Sequence, residues 1–172
     1  MKRHLLAAVL ILIPGTFLVG QQRSTNPWVK FTSEPGRFSA LLPVQPTQQT
    51  ETTPSDHGDY TTHMFVAKSG SNIYIVAWVD YDPSFQFRPN NELDANRDNF
   101  IRGLKATLVS SHNLKLNGYQ ALEFTAETTE ATFKSRVFIV GRRPYQLVVR
   151  TDKGLEDKEN TARFFESFTV QP

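Results

Sequence analysis

The segment Ile73-Tyr74-Ile75-Val76-Ala77-Trp78-Val79 restricts this chain more than any other. Seven apolar residues in a row give an extended strand two water-shy faces, Ile73/Ile75/Ala77/Val79 on one and Tyr74/Val76/Trp78 on the other. Such a strand belongs at the centre of a sheet with a covering layer on each side. Turn signals bracket it, with Ser69-Gly70-Ser71-Asn72 before and Asp80-Tyr81-Asp82-Pro83 after.

The flanking sequence reads mostly as strands. Trp28–Thr32 and Arg37–Leu42 are short aromatic and β-branched runs separated by Glu34-Pro35-Gly36, and Tyr60–Lys68 alternates with Phe65 and Ala67 opposite Met64 and Val66. The Thr/Gln-rich stretch 46–55 reads as an exposed strand. Leu108–Leu116, Tyr119–Glu127, Ala131–Val140 and Tyr145–Asp152 follow one another through short connections, the signature of antiparallel hairpins. Two segments switch to helical spacing. Asn91–Ala106 carries an inward stripe of Leu93, Arg97, Phe100, Ile101 and Leu104, and Leu155–Ser167 turns Leu155, Ala162, Phe165 and Phe168 inward. The pattern predicts one α+β domain over residues 28–170, with helices packed on a central antiparallel sheet.

Residues 1–20 have the layout of a signal peptide: Lys2-Arg3-His4, the apolar run Leu5–Ile13, then Pro14-Gly15 and a stretch ending at Gly20. Residues 21–27 form a short polar linker. Retention as an anchor is the competing reading, but Leu5–Val19 is short of the roughly 20 apolar residues of a span. Gln21 stands where a lipoprotein signal needs Cys. Export changes the charge balance, because 19 Lys+Arg less Lys2 and Arg3 equals the 17 Asp+Glu. A neutral extracytoplasmic domain does not suit nucleic acid, which calls for net positive charge and stacking aromatics. The chain has no cysteine, which removes disulfides, thiolate metal sites and thiol nucleophiles.

Several segments together resemble the PsbP-like domains, whose photosynthetic namesake is an extrinsic protein of the oxygen-evolving complex. They are Trp28-x-x-Phe31, Gly36-Arg37-Phe38-Ser39-x-Leu41-Leu42-Pro43 with Pro46, Gly118-Tyr119, Arg136-Val137-Phe138 with Tyr145–Val149, and Phe165-Glu166-Ser167-Phe168. The resemblance spans about residues 28–170. It implies an α/β/α sandwich with a central antiparallel sheet and flanking helices, in exported proteins without an established activity. No set of metal or docking residues matches, so the photosynthetic role does not carry over.

The chemistry-bearing residues are few. Asp80 and Asp82, two apart, could form a carboxylate pair, although strand-end acids before Pro83 ordinarily solvate a loop. Arg142-Arg143, with Lys134, Arg136 and Arg150 on adjacent strands, is the one basic concentration. These two pairs are the candidate partner-binding residues. Asp94-x-Asn96-x-Asp98 imitates the start of a calcium loop, but Asn99 and Lys105 stand where Gly and Glu are required. His57 and His63, with Asp56 and Asp59, could meet across a hairpin around a metal, without any recognised spacing. Ser110-Ser111-His112 places neighbours on opposite faces of a strand, and no Gly-x-Ser-x-Gly, Ser-x-x-Lys or phosphate loop occurs. The sequence therefore predicts an exported, non-catalytic domain with no cofactor or metal. It would bind an envelope protein or small ligand and meet membrane only through an uncleaved N-terminus. An alternative is a carrier of an apolar molecule or lipid, its cavity lined by the 12 Phe that follow the signal segment.

Overall fold

A computed structural model describes residues 28–56, 58–85 and 89–171. The signal segment, the 21–27 linker and His57 lie outside the described residues. Ten strands and two helices are present among them: β1 (Val29–Ser33), β2 (Phe38–Leu42), β3 (Thr47–Thr53), β4 (Tyr60–Ser69), β5 (Asn72–Tyr81), α1 (Pro89–Leu104), β6 (Thr107–Leu116), β7 (Tyr119–Glu127), β8 (Ala131–Val140), β9 (Arg143–Asp152), α2 (Lys158–Ser167) and β10 (Thr169–Val170).

The strands form two antiparallel sheets. One has seven strands in the order β3-β4-β5-β9-β8-β7-β6, and the other has three in the order β1-β2-β10. β5 is third from one edge, flanked by β4 and β9, and is buried on both faces as its sequence requires. Its Tyr74, Val76 and Trp78 join Phe65 and Ala67 of β4, while Ile73, Ile75 and Ala77 join Met64 and Val66, the division expected from period two.

The expected α/β/α sandwich is not what covers those faces. One face carries α1, whose Leu93 and Phe100 enter the core there. The other carries the three-stranded sheet, with α2 adding Phe164, Phe165 and the following Phe168. The domain is thus predominantly β, two stacked antiparallel sheets, with α1 against the free face of the larger and α2 packed beside β2 of the smaller. The reason is pairing. β1 pairs with β2 and β2 with β10, and none of them with an edge of the large sheet, so they stack on it as a separate layer.

Both helices differ from expectation in the residues they turn inward. α2 starts at Lys158 because Asp157 caps it, accepting from the Asn160 backbone N–H at 2.9 Å. That start leaves Leu155 in the preceding loop at 53% exposed and Ala162 exposed, with Thr161, Phe164 and Phe165 buried instead. In α1 the buried stripe is rotated to include Glu92, Asn96 and Asn99 beside Leu93 and Phe100. Among the described residues, no helix is long and apolar enough to cross a membrane.

Candidate functional site

The sheet register gathers the chemistry-bearing residues at one corner of the molecule. β5 and β9 run antiparallel with Trp78 opposite Tyr145, so Asp80 and Arg143, one period beyond, meet on the same face. Arg143 donates from Nε to Asp80 Oδ1 at 2.7 Å, and its Nη2 lies 2.6 Å from the same oxygen. Asp80 Oδ2 accepts from Trp78 Nε1 at 3.2 Å and sits 3.3 Å from His63 Nε2. The imidazole stacks flat on Trp78 at 4.5 Å, and its Nδ1 is 3.4 Å from the Thr50 hydroxyl of β3.

The same arginine reaches across to the small sheet, donating from Nη1 to the Pro35 carbonyl at 2.9 Å. Beside it the Tyr145 hydroxyl donates to the Gly36 carbonyl at 2.8 Å. These bonds clasp the β1–β2 turn to β9. The turn itself admits little change. A Cβ on Gly36 would come within 2.6–2.8 Å of the Phe38 ring and Ser33 Oγ, and Arg37 already occupies φ 51°. Burial pulls the Arg143 guanidinium down, but bonding with Tyr145 and the Asp80 charge outweigh it, and its pKa is raised.

Asp82 does not join Asp80 as a carboxylate pair. Its Oδ1 accepts from the Ser84 N–H at 2.9 Å and the Ser84 hydroxyl at 2.5 Å, and those bonds hold its carboxyl below the usual range. Arg142 reaches this loop through its backbone, donating from Nη2 to the Phe85 carbonyl at 2.8 Å and the Asp82 carbonyl at 3.3 Å. All four candidate residues therefore share one corner, with Asp80–Arg143 and Arg142–Asp82 as its two links. Thr50, His63 and Asp80 stand in hydroxyl–imidazole–carboxylate order. Arg143 holds the carboxylate's charge, however, which weakens its help to an imidazole base.

The other basic side chains of this concentration are paired as well. Arg136 donates from Nη2 and Nε to Glu123 Oε2 at 2.6 and 3.0 Å, and Lys134 lies 3.2 Å from Oε1. Arg150 pairs with Asp152 at 2.6 Å. His112 is 3.8 Å from Glu123. Burial pushes Glu123 up, but Arg136 and Lys134 more than reverse this and its carboxyl is held low. Asp94 and Asp98 of the calcium-like stretch lie on α1 and pair with Arg97 at 2.9 Å, while Asn96 is buried. Among the described residues no three His, Asp or Glu side chains converge as a metal site.

Sequence reasoning singled out Asp80 and Arg143 separately and weighed His63 only as a metal ligand. The β4–β5 and β5–β9 registers join all three, and Trp78 and Thr50 enter with them. Equal spacing from the β4–β5 turn was the available signal for His63 opposite Trp78, whereas no turn joins β5 to β9 to announce Trp78 opposite Tyr145.

No protein-family model matches the sequence, and no curated protein matches it either. Solved structures do. Cyanobacterial PsbP (CyanoP) from Synechocystis sp. PCC 6803, in its solution structure, superposes with a TM-score of 0.55 at 10% identity, covering 91% of this chain and 99% of that one. A protein from Bacteroides thetaiotaomicron VPI-5482 matches at TM-score 0.41 and 14% identity, over 83% of this chain and 48% of that one. The domain has the PsbP-like fold.

Proposed function

We propose that this protein is an exported, non-catalytic binding domain of PsbP-like fold that works in the cell envelope or outside the cell, on a protein partner or small ligand. The observation that carries the non-catalytic reading is the bonding of Asp80. Its oxygens face Arg143, Trp78 and His63 at 2.6–3.3 Å, so the one imidazole–carboxylate pair at the corner is tied into the scaffold. The export reading rests on the layout of residues 1–20.

Crosslinking in intact host cells followed by affinity isolation tests the binding role, with a defined partner or ligand expected. Turnover of an ester, glycoside or peptide substrate that is lost on His63→Ala or Asp80→Asn would replace this reading with an enzymatic one. For the apolar-carrier alternative, the phenyl rings matter. Phe38 touches Phe31, Phe65 and Phe168, and Phe100 touches Phe124 and Phe133, all at centroid separations of 5.3–6.1 Å. Rings in mutual contact fill cores. Co-purifying lipid in native mass spectrometry would favour the carrier instead.

A further inference from the structure

We propose that the β6 edge of the large sheet is the partner-binding surface, and that it takes an extended acidic segment of another protein as an added antiparallel strand. The inference rests on the binding role proposed above and names the surface and the class of partner.

β6 is ten residues long and, among the described residues, pairs only with β7, which leaves the outward row of its backbone N–H and C=O groups without a strand partner there. Residues 107–113 are exposed without a break, and α1 reaches them through the Arg97 side chain, whose Nη1 donates to Ser111 Oγ at 3.2 Å. From Ser110 to Leu116 the register with β7 is regular, giving an incoming strand seven residues of template. Beyond the bulge at Val109, Leu108 and Val109 are 41% and 56% exposed and offer an apolar anchor at one end.

Charge selects the occupant. Between Asp98 and Glu123 the chain carries Arg102, Lys105 and Lys115 and no acid, while His112 faces Glu123 on β7. The opposite edge is its reverse, because residues 38–67 carry Glu51, Asp56 and Asp59 and no Lys or Arg. A second copy could in principle offer its β3 to β6. That strand, Thr-Gln-Gln-Thr-Glu-Thr-Thr, has no apolar side chain to place against Leu108 and Val109, and Pro46 and Pro54 bracket it. A segment that is both acidic and apolar fits better than this chain's own edge.

A bulge and a lysine are also devices that keep an edge strand single, and the experiment separates the two. The full-length protein is titrated with a labelled ten-residue peptide alternating Val and Thr with three Glu, and with the same peptide carrying Lys for Glu. Amide exchange is read along the chain. Binding of the Glu peptide should slow exchange in 107–116 at least tenfold and leave 47–53 unchanged. The Lys115→Glu variant should weaken the Glu peptide about tenfold and favour the Lys peptide. N-methylation of alternate peptide amides should abolish binding. Protection at β3, equal binding of both peptides, or concentration-dependent self-association through β6 would each overturn the proposal. A cellular partner that crosslinks only to other surfaces would overturn it too, while leaving the binding role intact.

Discussion

The two faces of the seven-stranded sheet are covered by different means, and the difference shows in what each buries. Under the small sheet and α2 lie nine buried aromatic residues, among them Trp78, Phe38 and Tyr145. Under α1 lie three, Phe100, Phe124 and Phe133, among aliphatic neighbours. Both faces bury polar groups: Glu92, Asn96, Asn99, Ser135 and Gln146 on the α1 side, the last two bonded at 3.0 Å, and Glu123, Thr132 and Thr151 on the other. The aromatic face is bound by cross-layer hydrogen bonds at its rim. A small sheet brings strand ends and turns that can be clasped, as Pro35 and Gly36 are, whereas a lone helix offers only its side chains.

The contrast can be broken most directly by truncating the centre of each face. Phe38→Ala removes a ring that contacts Phe31, Phe65, Trp78 and Phe168, and should cost about 5 kcal/mol, the upper end of the range for such changes. Phe100→Ala, with two ring neighbours, should cost about 3 kcal/mol. Urea unfolding of both variants measures this, and a costlier Phe100→Ala would reverse the ranking of the faces.

Glu123→Gln comes next. It leaves Arg136, 15% exposed and stacked over Phe165 at 4.7 Å, without its countercharge, and should cost about 3 kcal/mol near neutral pH. The sign with pH follows from the held-down carboxyl. Stability from Glu123 is complete above the ordinary carboxylate range and is lost as pH falls through its lowered folded value. Acid melts should therefore show a steeper decline in the wild type than in Glu123→Gln.

A third comparison is alkaline. Burial first, then the Asp157 charge, push the Tyr74 phenol from 10 up to about 12. Folding is thus favoured below pH 10 and loses that contribution as pH climbs toward 12. Tyr74→Phe should flatten this part of the melting-temperature profile, and an unchanged slope would assign the loss to other groups.

The smallest effect sharpens the α1 face. Asn96 Oδ1 is buried without a hydrogen-bond partner among the described residues. Asn96→Leu should raise stability by about 1 kcal/mol, since it removes a desolvated acceptor. A loss in calorimetry would mean that the amide is satisfied in solution.

These contrasts also show why the sequence was legible in places. Period two in 73–79 revealed a doubly covered strand, because apolar side chains report burial directly. It could not say whether a helix or a sheet supplied each cover, since that depends on β2 pairing with β10 across about 130 residues. Polar residues report burial poorly, so Glu92 and Asn96 stayed invisible on the inward face of α1. Asp80 and Arg143 were visible as residue types, but their meeting required the β5–β9 register. Phe164, absent from the expected stripe, turns inward because a single capping residue, Asp157, sets where the helix starts.

The third strand of the small sheet has a consequence for timing. β10 pairs with Ser39 and Phe38, the Ser39 and Thr169 hydroxyls are 2.8 Å apart, and the Gln171 N–H donates to the Arg37 carbonyl at 2.7 Å. β1 and β2 therefore gain their third strand only after residues 169–171, about 130 positions further along the chain, have been made. Closing so long a loop makes this a costlier step than forming the local hairpins. Until it is taken, the aromatic face of the large sheet lacks Phe168 and part of its cover. Up to residue 168 the growing chain thus lacks the strand that completes this layer, and β10 is what locks it.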